Sequence, residues 1–247
     1  MKFNAELGEK IVETLIKSIP EGGYFYLEYE GLGDVCCANE ENNEIVELSD
    51  IEKALYRIDP TIEIHYGYSK VVITSPNLDG AVIKIPFKGN YTLLDNEYRF
   101  ISFDYAPIEN HWNYCEYECK VYKYMVDCGF GDFFAEIAYF ASLGNFDCYI
   151  QEYVASKATI GLPSISDKSM YKAADFCAEV GQDLFDDFNW LGFCIETYGE
   201  EMVYYFLQLF EEDEMLNECI MSDLHSKNYG QRMSGTPCIL DYCGFFD

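Results

Sequence analysis

The chain is poor in basic residues, and this shortage is its most informative absence. It has 16 Lys or Arg residues against 44 Asp or Glu residues among 247, a net charge of -28 at pH 7. Such a surface repels nucleic acid and anionic lipid, because both are negatively charged. We therefore expect no direct nucleic-acid binding and no membrane attachment. A macromolecular partner would be basic, such as a protein that normally binds nucleic acid, although solubility alone would explain the same charge.

Other absences narrow the class of protein further. No apolar run is long enough to span a bilayer, and the first residues contain no apolar segment typical of a secretory leader. The 11 Cys residues include no Cys-x-x-Cys or Cys-x-x-His pair, which argues against zinc. We predict a cytoplasmic protein with free thiols, most of them buried.

What the sequence does contain is enough apolar material for a large core, since 49% of its residues are hydrophobic and 17% aromatic. Periodicity predicts helices over residues 5–18, 50–58 (capped by Ser49), 113–127, 171–188 and 199–216. It predicts strands over residues 24–29, 62–66, 71–74, 81–86, 148–154 and 238–240, those between 62 and 86 forming an antiparallel meander. Residues 133–143 fit either a helix or a strand, and residues 156–169 indicate a linker. This order predicts an α+β protein of two lobes with a cleft between them.

The strongest motif extends from Ser222 to Phe245. Asp223 is followed five positions later by Asn228, and thirteen positions after that by Asp241, which opens Asp-Tyr-Cys-Gly. This spacing resembles the Asp-x-x-x-x-Asn catalytic loop, hairpin and Asp-Phe-Gly of protein kinases. The form Asp-Leu-His-x-x-Asn is also similar to aminoglycoside phosphotransferases. A polar turn in which Asp and Asn bond to the local backbone would contain the same residue types.

The resemblance implies a role for each residue of the motif. Asp223 would be the catalytic residue that accepts the proton of the attacking hydroxyl. Asn228 and Asp241 would be the ligands of Mg²⁺, which prefers hard oxygen donors. Both would thereby also take part in binding ATP.

Two residues upstream extend the resemblance toward the nucleotide. Lys84 in Ala-Val-Ile-Lys is similar to the strand lysine of kinases that pairs with the α- and β-phosphates. A helix glutamate should hold it, and Glu118 is the first candidate, with Glu116 the alternative that the helix register decides. A strand lysine and a helix face that both contact water would show the same pattern.

The chain also departs from the kinase pattern. Residues 67–71 offer one glycine, Gly67, where kinases have a glycine-rich loop, and His225 follows Asp223 instead of preceding it. The resemblance ends near the last residue, so we expect a two-lobed kinase-like fold with a minimal, truncated C-terminal lobe. The predicted domains are an N-terminal extension of unassigned role (1–55), a kinase-like N-lobe (56–154) and an acidic C-lobe (155–247).

Two functions of different class remain open. The first is an ATP- and Mg²⁺-dependent phosphotransferase with an interlobe cleft, or a pseudokinase that has lost the activity. The second is a non-catalytic acidic inhibitor that imitates nucleic acid. Residues 173–226 contain no Lys or Arg but 14 Asp or Glu residues, among them the run Glu211–Glu214. The chain resembles kinase-like proteins of bacteriophages in its shortness, and strongly acidic phage proteins are often inhibitors of host proteins that bind nucleic acid. A phage protein would act in the host cytoplasm.

Overall fold

The computed structural model describes residues 1–21, 23–28, 35–39, 44–67, 69–87, 89–94, 97–102, 113–142, 147–180, 188–212 and 227–242. Contacts between residues divide the chain into two units. The first comprises Met1–Cys119 and Ile137–Glu152, and the second comprises Lys120–Glu136 and Tyr153–Asp247. Helices and largely antiparallel sheets are combined in the chain, so the predicted α+β class is confirmed.

The helices are α1 (Ala5–Ser18), α2 (Leu48–Tyr56), α3 (Tyr114–Asp127), α4 (Lys157–Ile160), α5 (Asp167–Val180), α6 (Phe188–Tyr198) and α7 (Glu200–Glu212). The strands are β1 (Tyr24–Glu28), β2 (Val35–Asn39), β3 (Glu44–Glu47), β4 (Glu63–Tyr66), β5 (Lys70–Thr74), β6 (Ala81–Pro86), β7 (Gly89–Leu94), β8 (Glu97–Ser102), β9 (Ile137–Ser142), β10 (Asp147–Glu152), β11 (Val154–Ser156), β12 (Tyr229–Arg232) and β13 (Pro237–Ile239). Short 3₁₀ turns lie at Pro76–Leu78 and Gly131–Phe133.

The first unit contains an antiparallel sheet with the strand order β4-β5-β6-β10-β9. The predicted meander forms its first three strands. The central strand β6 pairs with β5 on one side and β10 on the other, and all six of its residues are buried. A second sheet has the order β3-β2-β1-β7-β8 and includes the parallel pair β1 and β7.

One face of the β4-β5-β6-β10-β9 sheet forms the core of the first unit. Val71 and Ile73 of β5 and Ile83 and Ile85 of β6 are fully buried there. They join apolar residues of α1 and α2: Ile11, Leu15, Ile51 and Leu55. The expected N-terminal extension (1–55) therefore contributes α1 and nearly all of α2 to this core. Because side chains alternate along a strand, the residues between these apolar positions point to the opposite face.

The second unit packs helices against each other and carries a small sheet. Contacts join α5, α6 and α7 to one another, and the sheet has the order β11-β12-β13. Aromatic rings fill the space between elements. Phe133 stacks on Phe206 of α7 with ring centroids 4.2 Å apart, and Phe134 meets Tyr242 edge to face at 5.0 Å.

Several sequence-based boundaries were wrong. The expected linker over 156–169 contains α4 and the start of α5, and the helix expected at 171–188 ends at Val180 within the described residues. Helix α6 was not predicted. Six consecutive residues of α6, from Trp190 to Ile195, are buried, so the helix lacks the one-sided apolar stripe by which a surface helix is recognised.

Smaller corrections concern α2 and two strands. Helix α2 begins at Leu48 with Glu47 as its N-cap, so Ser49 lies inside the helix, where its hydroxyl donates to Glu47 Oε2 at 3.3 Å. Residues 137–142 form strand β9, which settles the ambiguity between helix and strand. The strand expected at 148–154 is divided between β10 and β11.

The structure also bears on two expectations from the sequence, which concern membrane-spanning helices and the state of the cysteines. None of the helices in the described ranges combines the length and apolar character that crossing a bilayer requires. The cysteines whose side chains the structure describes are free thiols, and most are buried: Cys115, Cys148, Cys177, Cys194 and Cys238.

Candidate functional site

Over the central strands β5, β6 and β10, the second face of the β4-β5-β6-β10-β9 sheet is largely buried and carries polar side chains. Lys84 lies in the middle of β6, directly opposite Val72 of β5 and Tyr149 of β10. Only 3% of the surface of Lys84 is exposed to solvent. The water-facing lysine considered from the sequence is therefore wrong, and the charge of Lys84 must be stabilised by protein groups.

The buried charge of Lys84 is stabilised by a glutamate of α3. Lys84 Nζ lies 3.0 Å from Oε2 and 3.3 Å from Oε1 of Glu118, which is fully buried. A second lysine, Lys70 at the start of β5, donates to Oε1 at 2.7 Å and is also 3% exposed. These three residues, Lys70, Lys84 and Glu118, are called the Lys–Glu–Lys triad below.

Helix α3 is held on the polar face at its N-terminus as well. The side-chain oxygen of Asn113 caps the helix by accepting from the backbone N–H of Glu116 at 3.0 Å. Asn113 Nδ2 donates to the hydroxyl of Tyr149 at 2.8 Å. This anchoring sets the register of the helix, so Glu118 points to the lysines while Glu116 stays partly exposed. The choice between the two glutamates is thereby decided for Glu118.

Burial at the triad also raises the pKa of two neighbouring side chains. Burial raises the pKa of the Cys119 thiol to about 12, and the carboxylate of Glu118 adds to the shift while Lys84 opposes it. Burial likewise raises the pKa of Tyr149, even though the bond from Asn113 works in the opposite direction. Charge interactions are stronger in such surroundings than in water, so the triad exerts a strong local field.

A buried amide lies further along the same face. Gln151 of β10 is opposite Val82 of β6 and is 2% exposed. Its Nε2 atom has no hydrogen-bond partner among the described residues. Sequence reasoning assigned no role to Lys70, and it placed Gln151 in the expected hinge between the lobes without a role for its side chain. Both residues share a face of the sheet with Lys84, so knowledge of the strand register would have identified them. The register of strand pairing cannot be determined from a single sequence.

Two predicted metal ligands lie at one end of the β12–β13 hairpin in the second unit. Asn228 directly precedes β12, and its carbonyl oxygen accepts from the backbone N–H groups of Leu240 at 2.8 Å and Asp241 at 3.3 Å. The next residue, Tyr242, is fully buried and donates its hydroxyl to the carbonyl of Ala135 at 3.2 Å. The backbones of Asn228 and Asp241 are therefore adjacent and firmly anchored.

The hairpin itself is fixed by close packing. A Cβ at Gly230 would overlap the carbonyl oxygen of Ala155, so β12 can pair this closely with β11 only through glycine. Arg232 donates to the carbonyl oxygens of Asp132 at 2.8 Å and Phe134 at 2.7 Å. These contacts hold the backbone that carries Asn228 and Asp241 in place, and a metal site requires ligands on such a rigid backbone.

The donor set at this end of the hairpin suits magnesium. An amide oxygen and a carboxylate are hard ligands, and Mg²⁺ commonly takes few protein ligands because phosphates and water supply the others. Among the described residues, no group of three or more His, Cys, Asp or Glu side chains could hold a metal ion. Asp223, the candidate catalytic residue, lies outside the described residues, and its role stays a prediction.

Comparisons with known proteins identify no relative from which a function could be proposed. No family model matches the chain, and no match was found among the curated proteins or the solved structures. The contacts of the triad and of the hairpin therefore carry the functional inference.

Proposed function

We propose that the chain is a kinase-like phosphotransferase that binds ATP and Mg²⁺. The observation that carries the proposal is the buried pair of Lys84 and Glu118, with Nζ and Oε2 3.0 Å apart. In kinases, a strand lysine is held by a helix glutamate so that its ammonium group is positioned on the α- and β-phosphates. Lys84 and Glu118 occupy a strand and a helix in that way.

The energetics of buried charge support a functional role for the pair. Removing charged groups from water costs several kcal/mol per ion, and a buried ion pair is often no more stabilising than apolar residues of similar volume. Strand β6 is otherwise composed of Ala, Val, Ile and Pro. A lysine in such a strand is costly for folding, and phosphate binding gives a reason for its presence.

The remaining parts of the reaction are assigned by the sequence motif. Asn228 and Asp241 would hold Mg²⁺, which would neutralise phosphate charge. Asp223 would accept the proton of the acceptor hydroxyl as its oxygen attacks the γ-phosphorus and ADP leaves. The donor types and the rigid hairpin support the two metal ligands.

Nucleotide binding is tested by calorimetric titration of ATP with and without Mg²⁺. We expect binding that requires Mg²⁺ and that weakens at least about tenfold in Lys84→Met, the effect of losing one charge-assisted hydrogen bond. Lys10→Met is the matched control, because Lys10 pairs with Glu6 at 2.7 Å on the exposed surface of the same unit. The control should bind ATP as the wild type does.

Catalysis is tested separately by following transfer of the γ-phosphoryl group. Asp223→Ala should abolish transfer while ATP still binds, because the residue is assigned to the acceptor and not to the nucleotide. Absence of ATP binding by the wild type in the presence of Mg²⁺ would refute the proposal. ATP binding without transfer to any acceptor, water included, would instead identify a pseudokinase.

The acidic-inhibitor alternative stays a prediction. Glu212 is exposed at the end of α7, whereas Asp213 and Glu214 of the acidic run lie outside the described residues. No contact in the described part of the chain favours this alternative over nucleotide binding.

A further inference from the structure

Two lysines converge on one carboxylate oxygen in the Lys–Glu–Lys triad. Oε1 of Glu118 is 2.7 Å from the ammonium nitrogen of Lys70 and 3.3 Å from that of Lys84. Two positive groups that share one oxygen repel each other, and their repulsion is weakly screened because both residues are 3% exposed. The arrangement therefore concentrates positive charge at one place in a chain whose net charge is -28.

The backbone of Lys70 is fixed by the turn that precedes β5. The N–H of Gly67 donates to the carbonyl of Lys70 at 3.2 Å, and the N–H of Phe87, just after β6, donates to the carbonyl of Ser69 at 2.8 Å. The position of Lys70 next to Lys84 thus follows from strand pairing, and Glu118 orients its side chain.

This turn occupies the place where kinases have a glycine-rich loop, but it is built differently. A Cβ added at Gly67 would meet nothing within 4 Å, so close backbone packing does not require glycine there. Where kinases surround the phosphates with backbone N–H groups, this turn ends in a lysine, Lys70. An ammonium group is a strong donor to phosphate oxygens.

We infer that Lys70 is a second phosphate-binding residue, which together with Lys84 holds the polyphosphate of the nucleotide. The inference rests on the proposed function, because it assigns a further residue to the same site. A polyphosphate carries several negative charges, whereas the carboxylate of Glu118 carries one. The polyphosphate is therefore the better match for two adjacent ammonium groups. Glu118 acts as the positioning residue that keeps both lysines on one side of α3.

Affinity for ligands with different numbers of phosphates tests this role. In Lys70→Met, the affinity for ATP should fall about tenfold or more, the affinity for ADP should fall less, and that for adenosine should change less than about twofold. Lys70→Arg should recover part of the loss, because it keeps the charge. Lys70→Met is expected to fold, since Glu118 keeps Lys84 as a partner, and Lys10→Met again serves as control.

A double variant separates direct contact from an effect through Lys84. If Lys70 contacts phosphate, adding Lys70→Met to Lys84→Met should weaken ATP binding further. If Lys70 only positions Lys84, its effect should vanish in the Lys84→Met background, and this result would overturn the inference. An equal loss for ATP and adenosine, or a lower melting temperature with unchanged ATP affinity, would also overturn it.

The same data distinguish the two proposals. ATP binding that is lost in Lys84→Met but intact in Lys70→Met would refute the inference and leave the proposed function standing. A wild-type chain that does not bind ATP would refute both.

Discussion

Along the neighbouring strands β5 and β6, both faces of the sheet are largely buried, yet the two faces carry different types of side chain. Toward α1 and α2, strands β5 and β6 present Val71, Ile73, Ile83 and Ile85. Toward α3, the same strands present the lysines of the triad with valines between them. Burial of the first face releases apolar surface from water, whereas burial of the second costs desolvation and requires a carboxylate. The apolar face therefore supplies stability, whereas the polar face supplies the candidate site.

The largest effect is expected where the charge balance of the polar face is broken. Glu118→Gln removes the carboxylate that both lysines share, so the free energy of unfolding should fall by about 3–5 kcal/mol, as when one partner of a buried ion pair is removed. Urea unfolding measures this loss. Glu6→Gln, which removes the exposed partner of Lys10, should cost less than about 1 kcal/mol. Equal losses in the two variants would mean that the triad is not a low-dielectric site.

An apolar truncation on the other face should lower stability without touching the ligand. Ile73→Ala deletes a fully buried side chain from the core shared with α1 and α2, at a cost of about 2–5 kcal/mol. Calorimetry of the still-folded variant should find ATP affinity within about twofold of the wild type, since no side chain of the triad is removed. A larger change in affinity would show that the two faces are coupled.

Another buried carboxylate, Asp59, lies just after α2 and away from the triad, and it makes a third test. Burial alone would raise the pKa of Asp59, but hydrogen bonds from Ser75, Thr61 and Asn77 lower it from 3.8 to about 2. Since the folded pKa lies below the unfolded one, the stabilisation is complete above pH of about 4 and is lost as the pH falls toward about 2.

Acid unfolding followed by circular dichroism checks this pH dependence. Asp59→Asn should lower the free energy of unfolding at pH 7 by about 1–3 kcal/mol and flatten its fall between pH values of about 4 and 2. Asp50→Asn is the control, because Asp50 pairs with Lys53 on the exposed face of α2. An unchanged acid profile in Asp59→Asn would rule out this carboxylate as the cause.

The smallest effect is expected at the cap of α3. Asn113→Ala removes the cap and the bond to Tyr149, and should cost about 1–2 kcal/mol of stability. Because the cap also sets the helix register, ATP affinity should fall slightly while adenosine affinity stays the same. Asn113→Asp, which keeps the capping oxygen, should restore most of the stability. Failure of this rescue would assign the loss to the Tyr149 contact.

Much of the first unit was predictable from the sequence. The meander and α1 were predicted because their apolar periods of two and 3.6 are strong. The contact of Lys84 with a helix glutamate was expected from the kinase resemblance, but the choice between Glu118 and Glu116 was open. That choice depends on how α3 rotates against the sheet, which Asn113 and Tyr149 set through a long-range contact.

Other features could not be predicted because their determinants are not local. Lys70 followed a turn in the sequence and had no apparent partner until strand pairing brought it beside Lys84. Helix α6 was missed because six consecutive residues of its own, Trp190 to Ile195, are buried, which leaves no one-sided apolar stripe. The role of Asp223 stays a prediction from motif spacing, since the residue lies outside the described ranges.

The sequence by itself determined the acidic charge, the α+β class and the residue types of a candidate phosphotransferase site, because composition, periodicity and motif spacing are properties of the chain. Only the tertiary structure decided that one glutamate serves two lysines. Three residues separated by 14 and 34 positions meet within 3.3 Å because strand pairing and the docking of α3 bring them together. Burial then gives this cluster of charges its strength, since water no longer screens it.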